Sequence, residues 1–317
     1  MSAAVAEVRA RWSRGQRAKN DVIYALVVVA LAVARSLPRS ALVAVGRALG
    51  ALAWVLAPSV RALSIANVSR AFPERSPAGA RALARRAYDE LGALLGDTIA
   101  LLRADEPVRL SFAPGAREVL DAARACGRGV VLITAHLGPW ERLAAALVAE
   151  GFPLTTPVRV SYDPRLEDLL HAPLRRSRGV RALDRDAPGT PRALLRALRA
   201  NEIAGFLVDL NTRVAAAPLP FFGAPAWTPT GPARLALRTG APVVAAFATR
   251  EGIVVEQVRG AAERARPTEE EVLSLTRAMT EHVERAIARE PERWIWMHDR
   301  WGARRQPIGE TALVATT

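Results

Sequence analysis

Cysteine, lysine and aromatic residues are scarce in this chain of 317 residues. Cys126 is the single cysteine, which excludes an intramolecular disulfide, a cysteine-rich zinc site and an iron–sulfur cluster held by several cysteines of the chain. It precedes Gly127-Arg128-Gly129 in a turn-forming stretch, a poor setting for a thiol nucleophile. The scarcity suits a cytosolic or membrane-facing compartment. Aromatic residues make up only 5%, although half of all residues are hydrophobic, enough for a sizeable core. Lys19 is the only lysine, so the excess of Lys and Arg (44) over Asp and Glu (31), a formal +13, is almost wholly arginine. Coding bias accounts for part of that excess. The remainder is a basic surface that favours an anionic partner, phospholipid headgroups or nucleic acid. Charge alone does not choose between them, but no nucleic-acid recognition motif and no basic repeat with interleaved aromatics is present, which argues against nucleic acid.

Long hydrophobic runs are also few, and both lie near the N-terminus. "VIYALVVVALAVA" (22–34) is bounded by Asp21 and Arg35 and falls short of the roughly 20 residues of a spanning helix. "ALVAVGRALGALAWVLA" (41–57) carries Arg47 at its centre, between Arg39 and Arg61. Apolar helices edged by arginine, after a basic lead-in of Arg9, Arg11, Arg14, Arg17 and Lys19, fit an interfacial membrane anchor. The same runs also suit buried helices of a globular domain. A signal peptide fits poorly, because no clean small-x-small cleavage site follows.

The rest divides by pattern. Residues 60–103 read as helical, interrupted by Pro73 and Pro77, with Ser76 a helix cap. Short apolar runs at 129–135, 154–160, 203–208 and 242–248 then alternate with helical stretches at 163–177, 190–200 and 230–239. That alternation predicts an α/β fold, a sheet with helices on its faces. Two adjacent strands turn about Glu251-Gly252, and Thr268 with Glu271 forms a capping box for a helix running toward 289. The expected division is 1–60 for the basic lead-in and apolar helices, 61–305 for the α/β domain, and 306–317 for a tail.

In "GVVLITAHLGPWERLAAALVAEG" (129–151), His136 falls at the carboxyl end of a buried strand and beside a helix N-terminus, the edge where open α/β sheets usually bind ligands. A helix N-terminus disfavours the imidazolium, and Glu141, in the first turns of that helix, is placed to fold back on the ring, fix its tautomer and stabilise the charge once a proton is taken. A general base with its orienter is one reading; a capping histidine and a solvated glutamate is the other. No serine or cysteine stands beside His136 to act as nucleophile, so the nucleophile would be the substrate's. Zinc is disfavoured, since His171 and His298 lie in unrelated segments without ligand spacing.

"HLGPWE" (136–141), "PLPFFGAPAWTPTGPARLALRTGAPVVAAF" (218–247) and "EPERWIWMHDRWGARR" (290–305), with "NVSRAFPE" (67–74) ahead of them, resemble the late acyltransferases of lipid A biosynthesis and their relatives, including the phosphatidylinositol mannoside acyltransferases. The His-x4-Asp/Glu spacing alone is weakly specific; the blocks in this order are strongly so. The resemblance implies a glycerolipid-acyltransferase-like fold, a central mixed sheet flanked by helices, with the N-terminal apolar helices at the cytoplasmic face of the cell membrane. It implies transfer of a fatty acyl group from a thioester of acyl carrier protein or coenzyme A to a hydroxyl of a glycolipid or lipid A precursor, without an acyl-enzyme, metal or bound organic cofactor. Carried over, His136 is the base, Glu141 its partner, and Asp209 in "EIAGFLVDL" a supporting acid that either tunes His136 or caps its strand. Arg159 and Arg175 match arginines near the acceptor's anionic groups, and Arg234 is a further substrate-binding candidate that would otherwise lie on a solvated helix face. Trp294, Trp296 and Trp301 alternate as if to stack on a sugar, sit at a membrane interface or pack on the core. Pro139, Val160 and Leu210 depart from the family's pattern, which keeps a lysophospholipid or mannosylated inositol lipid open as acceptor, alongside an inactive glycolipid-binding relative.

Overall fold

Val130–Thr134 (β1) is apolar almost throughout because both its faces are covered. Val131 and Ile133 point into one core, with Leu83, Phe247, Met279, Trp294 and Trp296. Val130 and Leu132 point into the other, with Leu120, Leu143, Phe152 and Val244. The computed structural model describes residues 8, 10, 12–103, 105–211, 213–263 and 266–303. Arg9 and Arg11 of the basic lead-in and the tail 306–317 lie outside the described residues.

β1 is central in a six-stranded sheet with Leu154–Val158 (β2), Arg181–Asp184 (β3), Ile203–Leu207 (β4), Val243–Thr249 (β7) and Gly252–Arg259 (β8), ordered β3-β2-β4-β1-β7-β8. All neighbours pair in parallel except β7 with β8, which are joined by the tight turn at Glu251. The sheet is therefore mixed, as the resemblance implies. Ala216–Phe221 (β5) and Ala224–Pro229 (β6) form a separate antiparallel hairpin.

The described chain ahead of residue 101 folds into the helices Arg14–Arg35 (α1), Arg39–Leu56 (α2), Pro58–Ala71 (α3) and Pro77–Ala100 (α4). α1 is capped by Ser13 and Gln16, and Ser76 caps α4 by accepting from the Gly79 N–H. α2 is long and apolar enough to cross a membrane. Its inward face is Leu42, Gly46, Gly50 and Trp54. Gly46 and Gly50 meet Gly92 and Gly96 of α4 so closely that a Cβ at Gly46 would collide with the Gly92 carbonyl. Val45, Leu49, Leu52 and Leu56, spaced as one helical stripe, are exposed on α2. Val22, Leu26, Val29 and Val33 make a similar exposed stripe on α1.

Ala116–Ala125 (α5), Trp140–Ala149 (α6), Thr190–Arg199 (α7), Gly231–Thr239 (α8) and Glu269–Arg289 (α9) flank the sheet. The Thr268–Glu271 capping box is present at the start of α9. The stretch 163–177 is helical but irregular: a π-helical turn, Glu167–His171, interrupts Pro164–Leu166 and Ala172–Arg176.

Candidate functional site

Strand register brings the first two site residues together. Thr134 on β1 pairs with Leu207 on β4, so residues two beyond each, His136 and Asp209, leave the same edge of adjacent parallel strands. Asp209 is buried and accepts three hydrogen bonds: from the His136 peptide N–H to Oδ2 (2.9 Å), from the His136 ring at Nδ1 to Oδ1 (2.9 Å), and from Trp294 Nε1 to Oδ2 (2.8 Å). Burial alone would push the Asp209 carboxyl up; the charge of His136 and the bonds from His136 and Trp294 outweigh it and hold the group below the usual carboxylate range. An ionised acceptor at Nδ1 places the ring proton there and leaves Nε2 as the lone-pair nitrogen. Nε2 has no partner among the described residues, and the His136 side chain is 24% exposed. Asp209 thus contacts both the peptide N–H and the ring of His136.

Gly138 makes the turn possible. It has φ +60°, its N–H donates to the Arg293 carbonyl, and a Cβ there would strike the Ala248 carbonyl. Leu137 bridges to Trp294 across the same turn, and the edge of Trp140 lies against the His136 ring at 5.1 Å. The turn thus holds the imidazole against the Trp140 indole. Pro139 occupies the N-cap position of α6 and makes no side-chain cap bond.

Glu141 does not take the ring. Its Oε1 accepts from Arg175 Nη2 at 2.7 Å, with both side chains 15% exposed. Two residues into α6, Glu141 reaches across to the irregular segment after β2 and a full guanidinium charge there, while Asp209 already satisfies Nδ1 of the His136 ring. The ring contact expected of Glu141 is made by Asp209 instead. Arg175 is brought to the site through Glu141, and Arg159 is exposed just beyond the carboxyl end of β2, on the same edge. Arg234 instead binds the Glu269 carboxylate through both terminal nitrogens on the surface between α8 and α9, the solvated-face alternative.

The three tryptophans are packing residues. Trp294 and Trp296 are buried edge to face, 4.7 Å between centroids, and Trp301 donates to the Phe221 carbonyl. Neither Trp294 nor Trp296 is free to stack on a sugar or reach a membrane interface; Trp294 serves the site through its bond to Asp209. Sequence reasoning missed that bond, and also the buried pair behind α6. Arg142 forks onto both oxygens of Asp97 at 2.9 Å, and Arg39 reaches the same carboxylate at 2.6 Å. Partners 45 residues apart on separate helices leave no local spacing to read. Among the described residues no group of three His, Cys, Asp or Glu is arranged to hold a metal.

The family model for bacterial lipid A biosynthesis acyltransferases matches residues 13–303. Two proteins named phosphatidylinositol mannoside acyltransferase, from Mycobacterium tuberculosis strains CDC 1551 / Oshkosh and ATCC 25618 / H37Rv, are each 28% identical to this chain over 193 residues. Each match covers 59% of this chain and 59% of the relative's length.

Proposed function

Since the chain belongs to the bacterial lipid A biosynthesis acyltransferase family, we propose that it moves a fatty acyl group from an acyl thioester to a hydroxyl of a glycolipid, with His136 as general base. One observation carries the reading: Asp209 grips the imidazole from behind at Nδ1 and leaves Nε2 unpartnered on a partly exposed ring. Nε2 takes the proton of the acceptor hydroxyl as its oxygen attacks the thioester carbonyl carbon. The resulting oxyanion lies near the first-turn N–H groups of α6, which lack acceptors within the helix. Collapse breaks the C–S bond, and the imidazolium returns its proton to the departing thiolate. The acyl group ends as an ester and the carrier as a thiol, so no acyl-enzyme is needed. Asp209 stabilises the imidazolium between the two proton transfers.

Glu141 enters the machinery indirectly, by aiming Arg175 at the anionic part of the acceptor; Arg159, on the same edge, is the second anion contact. The donor is acyl carrier protein or coenzyme A thioester. The acceptor is a membrane glycolipid, a lipid A precursor or, as in the named relatives, a phosphatidylinositol mannoside. The exposed stripes of α1 and α2 with the chain's positive charge support docking on an anionic phospholipid surface at the cytoplasmic face of the membrane.

The test is acyl transfer by purified wild type and by His136→Ala, given mixed acyl thioesters and a total membrane-lipid extract and read as new lipid masses. A product made by wild type alone identifies acceptor and chain length together. Equal behaviour of two folded proteins would replace the base assignment with a lipid-binding role.

A further inference from the structure

Arg165 lies in the irregular segment after β2, and its partner Asp21 stands 144 residues earlier, on α1. Nη1 donates to Asp21 Oδ1 at 2.5 Å, while Nε and Nη2 fork onto the Asp163 carboxylate at 3.0 and 2.7 Å. The guanidinium lies over the Tyr24 ring of α1, 4.6 Å from the centroid, and 5.7 Å from that of Trp12, just ahead of α1. Trp12 is itself buried and stacks on Tyr162, with centroids 5.7 Å apart and planes 20° from parallel. Two carboxylates and two rings thus enclose one cation whose side chain is 12% exposed. A charge drawn this far out of water is favourable with all its partners in place, so the cluster specifies one seat for the segment on α1.

The segment has little core of its own. From Pro164 to His171 no residue is buried, and Leu166, Leu169 and Leu170 are half-buried. A stretch with few buried apolar contacts opens at low free energy unless something else fastens it. Its far end is fastened: Arg175 binds Glu141, and Arg178 donates to the Leu101 and Arg103 carbonyls at the end of α4. Arg165 fastens the near end, which begins at Arg159. The helix it fastens to carries the exposed stripe of Val22, Leu26, Val29 and Val33.

We propose that Arg165 is a positioning residue for the lipid acceptor: the Asp21–Arg165–Asp163 clamp ties the segment bearing Arg159 and Arg175 to α1, and so holds both anion-binding side chains at one depth relative to the membrane. The inference rests on the reading above, in which these two arginines meet the acceptor's anionic part and α1 lies on the bilayer. A headgroup in a bilayer sits at a set depth, so the arginines that bind it must be registered to the lipid surface as well as to His136.

The experiment follows the full chain on phosphatidylglycerol vesicles by hydrogen–deuterium exchange, and by acyl transfer to a total membrane-lipid extract in the same vesicles. Asp21→Ala opens the clamp from the α1 side; Asp21→Glu keeps the carboxylate. In Asp21→Ala, exchange across 161–171 should quicken about tenfold while β1 and β4 keep wild-type protection. The amount of extract giving half-maximal rate should rise about fivefold, with kcat within about twofold and KM for the thioester unchanged. Asp21→Glu should stay near wild type in every measurement. A folded Asp21→Ala with unchanged exchange or unchanged half-saturation would overturn the proposal, as would a loss confined to kcat or Asp21→Glu failing as badly. Should Asp21→Ala not fold, Tyr24→Ala opens the clamp at its ring face and is judged by the same results. The exchange measurement needs no acyl donor. An inactive wild type therefore counts against the acyl-transfer reading, whereas an active wild type matched by Asp21→Ala counts against the clamp alone.

Discussion

Asp209 is where the chemistry and the stability of the site meet. In Asp209→Asn the amide no longer offers an anion to Nδ1, so the ring tautomer is not fixed and the imidazolium is not stabilised. We expect kcat to fall by about 10²- to 10⁴-fold, the usual span of general-base catalysis, with KM for the thioester little changed. Because the folded Asp209 sits below its ordinary value, its ionised form stabilises the fold above about pH 4, and that contribution is lost as pH falls through the lowered folded value. The stability gap between wild type and Asp209→Asn, followed by chemical unfolding, should be constant near neutrality and close only below pH 4. A gap that widened on acidification would reverse the sign. Glu141→Gln should behave differently, raising the acceptor's KM more than it lowers kcat, because it frees Arg175 rather than the ring. His136 was legible in the sequence because a strand end followed by Gly-Pro and a helix is a local pattern. Its partner was not: Glu141 is near in sequence and Asp209 is 73 residues away, and only the pairing of β1 with β4 makes the distant one the neighbour.

Helices α2 and α4 touch backbone to backbone, so small changes there act strongly. Gly92→Val would set side-chain atoms against the Gly46 carbonyl; overpacking of this kind costs about 1–3 kcal/mol, and a lowered denaturation midpoint at unchanged slope would show it. Behind α6, Arg142→Ala leaves the buried Asp97 carboxylate with Arg39 as its remaining partner, so the loss should fall below the about 3–5 kcal/mol of a buried charge left wholly unpaired. The double variant Arg142→Met with Asp97→Leu should recover much of that loss in the same unfolding measurement. The periodic elements α1, α2, α4 and α9 and strands β1, β4 and β7 were readable because their apolar spacing is set by burial. β3 was not, since Arg181–Asp184 lies at the sheet edge and is largely exposed. Nor was the hairpin β5–β6: Pro218, Pro220, Pro225 and Pro229 each remove a ladder donor, which two strands standing outside the main sheet can tolerate.

At the scale of the whole molecule, the apolar stripes of α1 and α2 and the net charge of +13 point to one proposed surface. Replacing Leu49 and Leu52 together by Glu should reduce co-sedimentation with phosphatidylglycerol vesicles at least tenfold. Transfer to a short-chain, water-soluble acceptor should be unaffected. Binding that survives the double change would remove α2 from the contact. High salt should weaken the wild-type association, because the arginine contribution of about 1 kcal/mol per residue near the surface is screened. The glycine contacts gain a second meaning here. Four positions without side chains, Gly46, Gly50, Gly92 and Gly96, leave α2 one rotational setting on α4. With that setting fixed, its greasy stripe has one compass bearing relative to His136. The tilt at which His136 would meet a bilayer is thus written in missing methyl groups, on helices away from the imidazole itself.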